Sequence, residues 1–335
     1  MLRDIQIKNF GPLGDLEWSS PSPQINVILG ENSSGKTFLL KSLYAAVRTL
    51  EEFGKGQDNR GAKQVLDDKL YWTFQPERIG DLVTKGARER LSFSASVDGK
   101  RIAFEFSPSA EKGVGNYTIP DQTRNSVSLF LPAKEILSLF HVIKKSRGID
   151  KEFGFDDTYY DLVKAVEKAP TQGRVGDSFS VARRTIEGLI TGRVEYENNR
   201  WLFRLGNQVY SINVTAEGYK RIAIIDRLIV NRTLSQSSIL FFDEPDAMLH
   251  PTAVVSILKA LGAMAAAGMQ IFLATHSIFA LKQLYIMAKS RDVAVSVLSL
   301  ENGDASICDL AQGIPDTKII STSIALFIAE QKVRG

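Results

Sequence analysis

The chain carries a single cysteine, Cys308, in 335 residues. That excludes an intrachain disulfide and fits a reducing, cytosolic compartment. Cys308 lies in an alternating stretch and reads as a small apolar residue rather than a reactive thiol. Long apolar runs are also missing. Ala263–Ala267 is closed off by Gly262 and Gly268, far short of the roughly 20 residues a membrane helix needs, so no membrane partner is expected. The opening MLRDIQIKNFG has no apolar stretch behind its basic start and does not read as a signal peptide. Charge of one sign is scarce: 41 Lys and Arg face 38 Asp and Glu, a net charge of +3. Bulk electrostatics therefore leaves no nucleic-acid footprint. Histidine occurs three times. His141 lies on a helix face and reads as structural, and His250 sits between Leu249 and Pro251.

What is present is an orderly alternation. Apolar Ile5 and Ile7 mark a half-buried strand, Gly11–Gly14 a turn, Leu13–Trp18 a return strand and Gln24–Leu29 a central strand. Phe38, Leu39, Leu43, Ala46, Val47 and Leu50 follow a helix period. Residues 51–90 are polar and glycine-punctuated and read as an irregular or partly helical insertion. Strands return at Leu91–Val97 and Arg101–Phe106 around an Asp98-Gly99 hairpin turn, and at Ser126–Leu131. Helices are expected at Glu135–Lys145, Thr158–Lys168 and Ser178–Leu189. Short strands then follow at 193–196, 201–205 and 209–212. From Glu217 onward helices and strands alternate, the signature of a parallel α/β sheet. The last of them is a helix after Pro315. The expected division is an N-terminal lobe at 1–131, an inserted helical lobe at 132–190 and a C-terminal lobe at 191–335.

Gly30-Glu31-Asn32-Ser33-Ser34-Gly35-Lys36-Thr37 fits G-x-x-x-x-G-K-[ST] between an apolar strand and an apolar-periodic helix. In that context the loop's backbone N–H groups and the helix N-terminus bind phosphate oxygens. Gly35 permits close approach, Lys36 reaches the β- and γ-phosphates, and the Thr37 hydroxyl coordinates Mg²⁺.

Ile239–Phe242 is an apolar strand that ends in Asp243 and Glu244. Strand ends in a parallel sheet face the ligand crevice. Asp243 is expected to hold Mg²⁺, directly or through water, and Glu244 to polarise the attacking water. Ile271–Thr275 repeats the pattern and places His276 where it can sense the γ-phosphate.

These elements resemble the ABC-type ATPases of the RecF, SMC and OLD branch, which includes AAA family ATPases of bacterial anti-phage systems. IKNFGPLGDLEW, INVILGENSSGKT, FFDEPDAMLHP and LATHS carry the resemblance, over Met1 to about Leu50 and Asn213–Ser290. It implies a P-loop NTPase head of ABC type: an α/β fold with a mixed sheet, an antiparallel β subdomain and an inserted helical lobe. It further implies ATP and Mg²⁺ as ligands and a homodimer or higher oligomer with ATP sandwiched between heads. The signature that caps the γ-phosphate from the partner head corresponds to Thr215–Arg221, with Gly218 opening a helix. Ala216 stands where a serine is usual, and Thr215 offers a hydroxyl instead; an ordinary helix cap is the alternative. No obvious glutamine follows the strand entering the helical lobe. Lys134 or Glu135 takes that place towards Mg²⁺ or the γ-phosphate, with Gln75 a weaker choice and a plain helix start the alternative for Glu135.

The helical lobe is too short for SMC-type coiled-coil arms, and about 60 residues follow His276, too few for an OLD-type nuclease domain. Three functions remain: an ATPase switch controlling a separately encoded effector such as a nuclease or toxin in anti-phage defence; a DNA-binding RecF-like repair or maintenance ATPase; and a transporter ATPase subunit. The basic groups Lys144, Lys145, Arg147 and Lys151 alternate with Asp150, Glu152, Asp156 and Asp157. They read as a solvated mixed-charge surface, which favours the first function while leaving nucleic acid open as a partner.

Overall fold

The computed structural model describes residues 1–56, 59–171, 177–189, 192–301 and 303–334. The chain opens with β1 (Leu2–Lys8), β2 (Leu16–Trp18), β3 (Ile25–Gly30), α1 (Lys36–Glu52) and α2 (Ala62–Phe74). Then come β4 (Leu91–Val97), β5 (Lys100–Phe106), β6 (Asn116–Thr118) and β7 (Leu129–Leu131). The inserted lobe holds α3 (Phe140–Ile143), α4 (Asp157–Glu167) and α5 (Asp177–Glu187), followed by β8 (Arg193–Glu197), β9 (Arg200–Leu205) and β10 (Gln208–Ser211). The last part runs α6 (Glu217–Val230), β11 (Ile239–Asp243), α7 (Pro251–Ala266), β12 (Gln270–Thr275) and α8 (Ile278–Lys289), then β13 (Val295–Glu301), β14 (Asp304–Asp309) and α9 (Lys318–Arg334).

The central sheet has the order β14-β13-β3-β12-β11-β7. All its pairings are parallel except that of edge strand β14 with β13. Period-two side-chain alternation sends successive residues to two different cores. Leu240, Phe242, Ile271 and Leu273 join α4 to α8 in one core. Phe241, Phe272, Ile239 and Ala274 join α1 and the antiparallel sheet β2-β1-β4-β5-β6 in the other. Each fully buried large side chain contributes about 1.5–3 kcal/mol, so α1, with Leu39, Leu40, Leu43, Tyr44 and Val47 all buried, is firmly seated.

Several expectations are corrected. The helix expected from Glu135 begins only at Phe140. The Glu135 carboxylate accepts the backbone N–H groups of Leu137 (2.7 Å) and Ser138 (3.2 Å), a local alternative to helical bonding. Lys144–Asp150 then widens into a π-helical turn. The strand expected from Ser126 starts at Leu129, because the Ser128 N–H is bonded to the Glu51 carboxylate at 2.7 Å. The insertion at 51–90 agrees with the partly helical reading: it contains α2, whose Val65, Leu66 and Leu70 are buried; residues 57–58 lie outside the described residues. So do residues 190 and 191, where the helical lobe was expected to end. Strands β6 and β14 were not anticipated. The mixed-charge stretch is not all solvated: Asp156 and Asp157 are buried, and Arg147 pairs with Asp157 and stacks 3.6 Å from the Trp72 ring centroid.

Candidate functional site

Parallel pairing brings the C-terminal ends of β3, β11, β12 and β13 to one edge of the sheet. The loop from β3 to α1 turns at Gly35, whose φ of +93° is left-handed and where an added Cβ would lie 2.8 Å from Leu13. Lys36 is buried, and its ammonium donates to the carbonyls of Gly30 (2.8 Å) and Glu31 (2.7 Å). Burial lowers its pKa, and the carboxylates of Glu244 and Asp243 oppose that shift. Glu31, Asn32 and Ser33 are exposed, and with Ser34 they line a cleft of about 250 Å³ closed by Pro12, Leu13 and the β13–β14 turn.

The Thr37 hydroxyl donates to Asp243 Oδ2 at 2.8 Å. Asp243 Oδ1 is buried without a hydrogen-bond partner. Burial pushes the Asp243 carboxyl above its usual range, partly offset by the Thr37 hydrogen bond. Glu244, at φ +49°, donates its N–H to Ala274 O at 2.9 Å, and its Oε1 lies 3.3 Å from His276 Nδ1. The structure thus joins the phosphate loop to Asp243, and Glu244 to His276.

It does not join the remaining candidates to that cluster. Besides its two backbone partners, Glu135 lies 3.5 Å from Lys220 Nζ. Gln75 ends α2 and bonds Phe155 O and Gly154 N. Thr215 donates to Ser211 O at 3.4 Å, while Ala216 opens α6 without a side-chain cap. Gly218 sits where an added Cβ would meet Leu249 at 2.9 Å and Met248 O at 3.2 Å. His250 caps α7, and His141 bonds Asn199 O, both structural placements.

Sequence reasoning placed Arg221 only at the end of the Thr215–Arg221 stretch and gave Asp246 no role of its own. Arg221 is buried, and its guanidinium donates to the carbonyls of Glu244 (2.8 Å), Ala247 (2.9 Å) and Asp243 (3.3 Å). It holds the whole turn that carries Glu244. Thr275 anchors the same turn through Asp246 at 2.6 Å. The available signal was a charged residue on the apolar stripe of α6, directly preceding Ile222.

Residues 123–282 match a family model described as "AAA domain, putative AbiEii toxin, Type IV TA system". The DNA replication and repair protein RecF of Limosilactobacillus fermentum is 27% identical over 157 residues, which are 46% of this chain and 37% of RecF. The chain therefore matches little more than a third of that relative's length. Among solved structures, an SMC head bound to the C-winged helix domain of ScpA superposes with a TM-score of 0.54 at 14% identity, covering 92% of this chain and 97% of that one. An SMC head domain with an extended coiled coil, bound to the C-terminal domain of ScpA derived from Pyrococcus furiosus, gives 0.52 at 12% identity with both chains fully covered. At such identity these structures speak for the fold. In its fold, the order of its motifs and its RecF match, the chain is similar to ABC-type ATPases of the RecF/SMC branch.

Proposed function

We propose that the chain is an ATP-hydrolysing switch that dimerises around ATP and controls a separately encoded effector, a nuclease or toxin, in bacterial anti-phage defence in the cytoplasm. The observation that carries the reading is the Thr37–Asp243 hydrogen bond of 2.8 Å, with the second Asp243 oxygen buried and unpartnered, next to the Glu244–His276 pair. An orphaned buried carboxylate oxygen and a hydroxyl are the hard donors a divalent cation takes. Thr37 and Asp243 would hold Mg²⁺, and Lys36 would exchange its two carbonyl partners for phosphate oxygens. Among the described residues no group of three or more His, Cys, Asp or Glu could hold a metal; the rest of the cation's shell falls to phosphate and water. Glu244 would take the proton of the attacking water, steadied by His276. The expected segments 1–131, 132–190 and 191–335 serve as loop-bearing lobe, helical lobe and carboxylate-bearing lobe.

Closure around ATP is supported by the uncapped start of α6, whose free N–H groups suit an anion. Exposed Val214 and Met248, at that helix start and the Glu244 turn, supply apolar surface for a second head. Gly218→Glu would disturb the Met248–Leu249 turn of its own head, so Ala216→Glu, at an exposed position, is the cleaner probe. It is expected to keep ATP binding and lose ATP-dependent contact between heads, read by chemical cross-linking across the head interface. The effector refinement is supported by the toxin–antitoxin description of the matching family. The RecF match supports a second reading, DNA binding; DNA affinity falling steeply with salt would favour it. No helix among the described residues is long and apolar enough to cross a membrane; co-purification with a membrane permease would favour the transporter reading.

The central test is Lys36→Ala, titrated with ATP and Mg²⁺ by calorimetry. Affinity should fall at least about tenfold, the scale of one lost charge-assisted contact of roughly 1.5–3 kcal/mol, with the thermal transition retained. Unchanged affinity removes the loop from nucleotide binding. Arg221→Lys tests the turn. It keeps the charge but loses the planar fork that spans three carbonyls. Turnover should drop roughly 10- to 100-fold with KM little changed, since displacing a catalytic group by about 1 Å is enough for that loss.

A further inference from the structure

The run Ile324–Ala329 makes the middle of α9 apolar on every side, and the helix is almost bare. From Ser321 to Val333 every residue except Ser323 is exposed, with Ile324 at 53%, Leu326 at 66% and Phe327 at 60%. Its base is fixed. Thr317 is buried, Ile320 packs on the core, and Lys318 bonds Glu301 through its N–H and Glu31 of the phosphate loop through its ammonium, both at 2.9 Å. The outer turns thus project from an anchored stump.

A helix of 17 residues is marginal in water by itself. This one is rich in β-branched Ile319, Ile320, Thr322, Ile324, Ile328 and Val333, which are poor helix formers. Ile320, Ile324, Phe327 and Ile328 make one stripe, and Ile319, Leu326 and Val333 another. A helix apolar all round is a buried helix. It lacks the strongly polar face that would lay it on a membrane surface, and no span is long and apolar enough to cross one among the described residues.

We propose that α9 is covered by α9 of a second copy, in a two-fold dimer that forms without nucleotide. α8, against which α9 packs, adds exposed Phe279 and Ile286 to exposed Ile324, Leu326, Phe327 and Val333 and half-exposed Ile328. At roughly 100 Å² each, the area equivalent of a few kcal/mol of burial, they offer on the order of 700 Å² per protomer. A standard interface takes about 800 Å² from each partner. Pairing about a two-fold axis perpendicular to α9 makes the two helices antiparallel, which opposes their dipoles. With Ile324 at the axis it sets Ile320 opposite Ile328 and Lys318 opposite Glu330, so apolar surface and charge are both self-complementary. The dimer is separate from ATP-driven closure. On the reading proposed above, it would turn that closure into an intramolecular step.

The test is sedimentation of the whole chain at about 10 μM without nucleotide, the upper range of ordinary transient affinities, together with the Lys36→Ala variant. Both should run as dimers, which keeps the result independent of ATP binding. Leu326→Glu with Phe327→Glu alters exposed positions only and should give monomers whose ATP affinity and main thermal transition match the parent's. A monomeric parent overturns the proposal. So does a dimer that survives both glutamates, or a monomeric parent that co-sediments with vesicles of neutral and anionic phospholipid.

Discussion

Glu244→Gln should bind ATP as the parent does and hydrolyse it some 10²- to 10⁴-fold more slowly, the usual loss when a general base is removed. The amide fills the same volume and can still meet His276, which lies 3.3 Å from the carboxylate. It cannot accept a proton. The backbone should not move, because the strained φ of +49° is held by main-chain bonds from Arg221 and to Ala274, none of which uses the Glu244 side chain. Binding should be spared because Lys36, Thr37 and Asp243 are untouched. The measurements are phosphate release at saturating ATP and calorimetric affinity. The variant should also accumulate as the ATP-bound closed form, resolved by cross-linking between the two heads. Turnover equal to the parent's would take the base away from Glu244.

The parts of this site that could be read from sequence are those whose chemistry needs a fixed local spacing. A phosphate loop demands Gly35, Lys36 and Thr37 in succession, and β11 must end on Asp243 where it meets the loop; both requirements show in a few consecutive residues. The parallel sheet was legible for a similar reason, since buried strands such as Ile271–Ala274 are apolar throughout. Arg221 and Asp246 were not legible, because their value lies in contacts between segments that meet only on folding. Glu135 stayed open for the opposite reason. Its sequence context allows a helix start or a ligand, and only the structure shows the carboxylate engaged by Leu137 and Ser138. Exposure of charge was the least legible property. Asp156, Asp157 and Asp161 look like the polar surface of α4, yet all three are buried because α1 and α2 supply cations to them.

That ionic cluster carries the largest expected effect on stability. Lys69 of α2 is buried and lies 3.0 Å from Glu52, 3.0 Å from Asp157 and 2.7 Å from Asp161. Tyr44 of α1 donates to the same Asp161 oxygen at 2.7 Å, and Arg48 approaches it at 3.7 Å. One lysine therefore ties the helix behind the phosphate loop to the inserted helical lobe. Burial alone would lower the Lys69 pKa, but Asp157, Asp161 and Glu52 outweigh it and hold the ammonium well above its usual range. Burial alone would raise Asp161, but Lys69, Lys164 and Arg48 hold it well below the usual carboxylate range. Lys69→Met keeps the length and apolar stem while leaving these carboxylates short of a cation. Removing one partner of a buried ionic group costs ~3–5 kcal/mol, read as a lower midpoint in urea at unchanged slope. The sign with pH follows from the carboxylates. Asp161, depressed in the folded state, contributes stability that is present above its unfolded pKa and lost as pH falls through the depressed folded value. Lys69, raised, contributes stability that is present below its unfolded pKa and lost as pH rises through the raised folded value. The gap between parent and Lys69→Met should therefore be full at neutral pH and narrow below the ordinary carboxylate pKa of about 4. Adding Asp161→Asn to Lys69→Met removes the stranded charge, so the double variant should lose less than the two single losses together. A gap that stays constant down to strongly acid pH would mean that Lys69 stabilises the lobes through packing of its stem rather than through its charge.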